Sequence, residues 1–161
     1  MLEKEKKMAH TWNHEYTDEN LNKVAFPLGG IGAGMICLDG NESFSHVSVR
    51  NQIKAFHIPL MFGAISVKEG EEWKARVVQG RTADWKVMHP WGEHFQDSAS
   101  GARDTTFGLP YFRSCSFSSQ FPFAEVALSD LEMPLEAKVM GWSPFAPNKE
   151  DDASLPLAAL E

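Results

Sequence analysis

The residues of this chain whose types suit chemistry fall into a few short groups. The densest is Gly29-Gly30-Ile31-Gly32-Ala33-Gly34. A phosphate cradle needs glycines that lead into a helix N-terminus, with Lys-Ser/Thr for a P-loop or G-x-G-x-x-G for a dinucleotide. Neither spacing is present, and the run leads into the apolar Met35-Ile36-Cys37-Leu38, which reads as a strand. Gly29, Gly30, Gly32 and Gly34 are therefore expected to serve the backbone, at a sharp turn or a close approach of two main chains. No cofactor is expected there.

The histidines give no better centre. His89 and His94 flank Trp91 in His89-Pro90-Trp91-Gly92-Glu93-His94. A metal wants further convergent ligands held on a strand or helix, whereas Pro90 and Gly92 place these in a loop. They read as surface histidines. His10 and His14 have i, i+4 spacing but lie in a polar arm without the glutamate of a zincin motif. Glu150-Asp151-Asp152 lacks the spacing of a calcium loop and reads as a solvated acidic turn. No metal site is expected.

Nucleophiles fare alike. No G-x-S-x-G elbow exists. Cys115 lies in an alternating run, where a buried structural thiol is the better reading. Cys37 and Cys115 are the only cysteines, which excludes a disulfide scaffold and every four-cysteine zinc site. One disulfide between them is open, with reduced core thiols preferred. Asn41-Glu42-Ser43 fits a glycosylation sequon, which matters only in a secreted eukaryotic chain. Trp85, Trp91 and Trp142 suit sugar stacking, and suit core or domain-interface packing more often. The residues alone give no catalytic constellation.

The elements that would position these groups are mostly strands. Residues 1–16 are polar and aperiodic and read as an arm, and Thr17-Asp18-Glu19 opens a short helix with Thr17 as N-cap. Beyond Pro27 the period is two. Strands are predicted at Met35 to Leu38, Ser45 to Val49, Leu60 to Val67 and Trp73 to Val77, and after residue 110 at Phe112 to Phe117, Ala124 to Leu128 and Leu135 to Val139. Asp39-Gly40-Asn41 is a turn between the first two, and Gly63 marks a bulge or close approach. Residues 80–110 break the alternation and carry Gly80, Pro90, Gly92, Gly101, Gly108 and Pro110. A stretch this long and irregular is usually an insertion with a purpose or a disordered one. About seven short strands separated by turns predict an all-β, antiparallel β-sandwich with a long irregular loop and a polar arm. The final Leu155-Pro156-Leu157-Ala158-Ala159-Leu160-Glu161 turns apolar where loose polar ends are usual, so the sandwich is expected to be incomplete.

Composition narrows the classes. The 161 residues fit one domain or part of one. Apolar residues make up 43% and charged residues 23%, which argues against wholesale disorder. Lys plus Arg number 15 against 22 Asp plus Glu, a formal charge of -7. Nucleic-acid binding needs a basic footprint, and there is none. The same balance argues against an anionic membrane surface. No apolar run approaches the ~20 residues of a membrane span. The start, Met1 to Met8, has no apolar stretch behind it and is no signal peptide. A cytoplasmic location is expected.

Several segments in order carry more than any one motif. Phe26-Pro27-Leu28-Gly29-Gly30-Ile31-Gly32-Ala33-Gly34 is followed by Phe44-Ser45-His46-Val47-Ser48-Val49-Arg50-Asn51, then Gly108-Leu109-Pro110-Tyr111-Phe112, Phe121-Pro122-Phe123-Ala124-Glu125-Val126 and Met133-Pro134-Leu135. Gly141-Trp142-Ser143-Pro144-Phe145-Ala146-Pro147 and Ser154-Leu155-Pro156 close the series. The chain resembles the N-terminal domain of glycoside hydrolase family 116, the family of bacterial β-glucosidases and the non-lysosomal glucosylceramidase.

That resemblance implies a β-sandwich packed on a helical (α/α) toroid and a retaining attack on β-glucosides. Such an attack needs two carboxylates ~5 Å apart. In the family both belong to the downstream helical domain, so no catalytic residue carries over to this chain. The expected partner is that C-terminal (α/α) catalytic domain, with β-glucoside reached only through it. Residues 19–161 are expected to be the N-terminal part of the sandwich and residues 1–18 the arm. Trp85, His89 and Trp91 are expected at the domain interface or the rim of the sugar pocket. The rival expectation is a free-standing carbohydrate-binding sandwich, which needs an exposed planar aromatic platform.

Overall fold

The computed structural model describes residues 14–49, 61–81, 106 and 108–161. The chain opens with β1 (Tyr16–Thr17), a 3-10 helix (Asp18–Lys23), β2 (Ala25–Leu28), β3 (Gly34–Asp39) and β4 (Phe44–Val49). Next come β5 (Ala64–Glu69), β6 (Glu72–Gly80) and β7 (Tyr111–Phe112). The last part holds β8 (Ser114–Gln120), β9 (Phe123–Ser129), β10 (Ala137–Trp142), the single-turn helix α1 (Glu150–Ala153) and β11 (Ala159–Leu160).

Among the described residues the strands form three sheets. The largest has the order β1-β8-β9-β10-β11, the second β2-β3-β4 and the third β5-β6-β7. All pairings are antiparallel except β6 with β7. The large sheet follows its sequence pattern. Phe117, Val126 and Val139 lie opposite one another on β8, β9 and β10, and all three are buried. Their neighbours Ser116, Ala127 and Lys138 take the outer face, because side chains alternate along a strand. The second sheet meets this inner face with Leu28 and Leu38. A Cβ on Gly141 of β10 would touch Leu38 and Leu28, so β10 and β2-β3 approach closely at that point. Phe26 and Phe117 meet across the same interface with ring centroids 6.4 Å apart. The fold is therefore an all-β sandwich. Its core is one cluster of Leu, Phe and Val, and apolar burial of this kind is worth roughly 1.5–3 kcal/mol per large side chain.

Several boundaries differ from the sequence reading. Four short strands, β1, β2, β7 and β11, carry too few residues to show alternation. β2 even contains Pro27, which is tolerated because β2 is an edge strand and Pro27 faces solvent. Thr17 precedes a 3-10 helix and makes no side-chain capping bond. β5 begins at Ala64, and Gly63 lies before it with its carbonyl accepting the Val78 N–H at 2.8 Å. β4 carries an irregularity opposite Met35 to Cys37, and His46 takes a left-handed φ of 50° there.

Candidate functional site

The hairpin tip between β3 and β4 turns inward. Asp39, Gly40, Asn41, Glu42 and Ser43 are all buried, although turn residues of this type normally face water. The 3-10 helix lies so close that a Cβ on Gly40 would strike the main chain of Leu21. On another side, the Gly80 N–H donates to the Asn41 carbonyl at 3.0 Å. On a third, the Cys115 thiol donates to the Gly40 carbonyl at 3.3 Å. The tip thus joins β6, β8 and the 3-10 helix.

Polar side chains within the tip are mostly satisfied, as burial demands. Ser45 Oγ donates to Asp39, with His46 Nδ1 2.7 Å from the same oxygen. Ser43 Oγ donates to Asn41 Oδ1 at 3.0 Å. Beside them the Thr106 hydroxyl donates to Gln79 at 2.9 Å and the Tyr111 hydroxyl to the Thr106 carbonyl at 2.6 Å. Glu42 is the exception. It is 5% exposed, its φ is 73°, and its Oε2 has no hydrogen-bond partner. Burial pushes its carboxyl up to about 8.

The glycine-rich run forms the loop from β2 to β3. Gly29, Gly32 and Gly34 have φ of 124°, 75° and 109°, a region L side chains rarely enter. Gly30 meets a different constraint, since a Cβ there would collide with the main chain of Ser154 and Leu155. The Ile31 N–H donates to the Ala153 carbonyl at 2.8 Å. Beside this contact lies an open groove of about 340 Å³ lined by Leu28, Ala33, Met35, Ile36, Pro156 and Leu157. Its walls are apolar, without a charged group.

A second charged cluster centres on Asp130. Asp130 has a fully buried side chain, and Arg76 Nε donates to it at 2.9 Å. The Glu132 N–H donates to Asp130 at 2.9 Å, and Arg76 and Arg113 both reach Glu132. The Glu132 N–H, ahead of Arg76, holds the Asp130 carboxyl below the usual carboxylate range. Cys37 and Cys115 are free thiols. Burial pushes Cys37 up to about 11 and Cys115 up to about 12, so neither is a thiolate nucleophile.

The other residues with candidate roles are scattered. Asn41 is buried, which closes the glycosylation sequon. Glu150, Asp151 and Asp152 form the exposed first turn of α1. His14 is exposed and stacks on Tyr16 at 5.0 Å. Trp142 is half-buried on the outer face of the large sheet, opposite Phe123. Phe121 and Phe145 nearby meet edge-on, with ring planes 73° apart, which is not a flat platform for a sugar. Trp85, His89, Trp91, His94 and His10 lie outside the described residues. Among the described residues no group of three or more His, Cys, Asp or Glu could hold a metal ion, and no helix is long and apolar enough to cross a membrane.

A comparison with known families decides the lineage. The family described as beta-glucosidase 2, glycosyl-hydrolase family 116 N-term, matches residues 25–161. The chain belongs to this family. No individual curated protein matches it.

The family 116 N-terminal domain begins its match at β2 and includes both the glycine-rich loop and the buried tip. The glycine-rich loop was visible in the sequence by its composition. The buried tip was not, because Asp39-Gly40-Asn41 carries the ordinary signal of a solvent-facing turn. Glu42 takes a left-handed φ of 73°, where such turns favour glycine or asparagine, and its residue type gives no signal of that conformation.

Proposed function

We propose that this chain is the non-catalytic β-sandwich of a family 116 β-glucosidase or glucosylceramidase-type hydrolase, and that it supports a helical catalytic domain. The observation that carries this reading is the family match over residues 25–161. The buried carboxylates among the described residues agree with it. Retaining hydrolysis needs a nucleophile and an acid/base facing one open sugar site. Asp39 and Asp130 are engaged inside the fold, and Glu42 is enclosed in the hairpin tip.

In this reading residues 19–161 form the domain and residues 1–18 an arm whose end, β1, pairs with β8 of the large sheet. Trp85, His89 and Trp91 belong to the boundary with the catalytic domain or to the rim of its pocket. The β-glucoside is bound through the catalytic domain. Purified chain assayed on a nitrophenyl β-glucoside should show no turnover above the uncatalysed rate. Turnover abolished by a single Asp or Glu substitution within residues 1–161 would overturn the reading.

A further inference from the structure

Glu42 is a buried acid with no counter-charge among the described residues. Its side chain enters the interior at a hairpin tip that three other elements enclose. The 3-10 helix presents the Leu21 main chain to the tip, and the end of β6 presents Gly80 and the neutral amide of Gln79. β8 presents the Cys115 thiol, which Glu42 affects electrostatically. On the same hairpin stand the Asp39 carboxyl and the half-buried His46. Among the described residues no Lys or Arg forms an ion pair with Glu42.

An ionised carboxylate in such a place would forfeit its hydration without gaining a described partner. A neutral acid is far easier to enclose. The backbone adds to the burden, because φ at Glu42 is 73° in a non-glycine residue. The tip is therefore held in place by packing against its neighbours, and one proton decides whether that packing is tolerable.

We propose that Glu42 makes the β3–β4 tip a proton-dependent latch: the neutral acid keeps the tip seated against β6, β8 and the 3-10 helix, and ionisation loosens it. The sign follows from linkage. The unfolded chain releases this proton near the ordinary 4.5, while the folded chain keeps it to about 8. Between these values the folded state binds the extra proton, so stability falls as pH rises. Above about 8 both states are ionised and the loss levels off.

Glu42→Gln keeps the shape and removes the titration. Unfolding constants of the full chain should be measured for wild type and Glu42→Gln from about pH 5 to about pH 9. The ratio of the wild-type to the variant constant should grow by up to about tenfold per pH unit, then level off near pH 8. A ratio that stays flat with pH would overturn the proposal. The carboxyl ¹³C shift of Glu42 in the wild-type chain gives a second reading that does not depend on the variant folding. A midpoint near 8 is expected, and a midpoint near 4.5 would overturn the proposal equally.

Discussion

The main-chain N–H of Ile31 donates to the carbonyl oxygen of Ala153 at 2.8 Å, and so fastens the glycine-rich loop to the end of α1. Gly30, the residue before it, lies so close to Ser154 and Leu155 that no side chain fits between the two segments. The loop is thus built for contact between main chains, and the open groove beside it has apolar walls.

Gly30→Ala should accordingly cost roughly 1–3 kcal/mol of stability, because the colliding atoms are backbone and cannot rotate away. Gly32→Ala should cost less, since only its φ of 75° opposes a Cβ and nothing lies within 4 Å. Chemical denaturation of the two variants would check the order. Equal losses would show that the approach to Leu155 is not what the loop requires.

The strands were legible wherever alternation was long enough to see. Ala124, Val126 and Leu128 are buried while Glu125 and Ala127 are less so, and the pattern alone indicates that face. β7 and β11, with two residues each, contain no period to read. The buried tip was hidden for another reason. Turn chemistry encodes the local reversal of the chain, whereas the burial of Asp39 to Ser43 depends on Leu21, Gly80 and Cys115, which lie far away in sequence. The partnership of Arg76 with Asp130 was equally invisible, since it joins β6 to the turn after β9.

Asp130→Ala should destabilise the chain by roughly 1–3 kcal/mol, since the largely enclosed Arg76 Nε loses its acceptor while its terminal nitrogen keeps Glu132. The pH dependence has a definite sign. Asp130 is held below its ordinary 3.8 in the folded state, so its contribution is present above that value and disappears as pH falls further. Acid titration of stability should therefore lose part of its low-pH slope in Asp130→Asn. An unchanged slope would mean that other carboxylates carry the acid sensitivity.

Phe121, Phe123 and Phe145 are 59%, 49% and 46% exposed, and they crowd one end of the large sheet. Exposed aromatic clusters of this kind drive association or docking. The isolated chain should bind an apolar dye and sediment partly as dimers or larger species. The double variant Phe121→Ser, Phe123→Thr should reduce both signals while leaving the melt cooperative. A monomeric wild-type chain without dye binding would show that this end of the sheet is not adhesive.

Glu42→Gly should make the chain more stable than wild type, an unusual result for a buried position. Two burdens disappear together. Glycine adopts a φ of 73° without strain, and no carboxyl is left unpartnered in the interior. One term opposes them, the small void left by the side chain, which forfeits packing contacts with its neighbours. Near pH 5, just above the unfolded value of 4.5, the proton contributes little and mainly the backbone strain and the polar atom are relieved, so the net gain should be about 1 kcal/mol. Near pH 8 folding of the wild type must also hold a proton that the unfolded chain has released, so the gain should grow by a few kcal/mol. Urea denaturation at the two pH values would measure both gains. A Glu42→Gly chain less stable than wild type at both would mean that the side chain packs more favourably than its missing partner suggests.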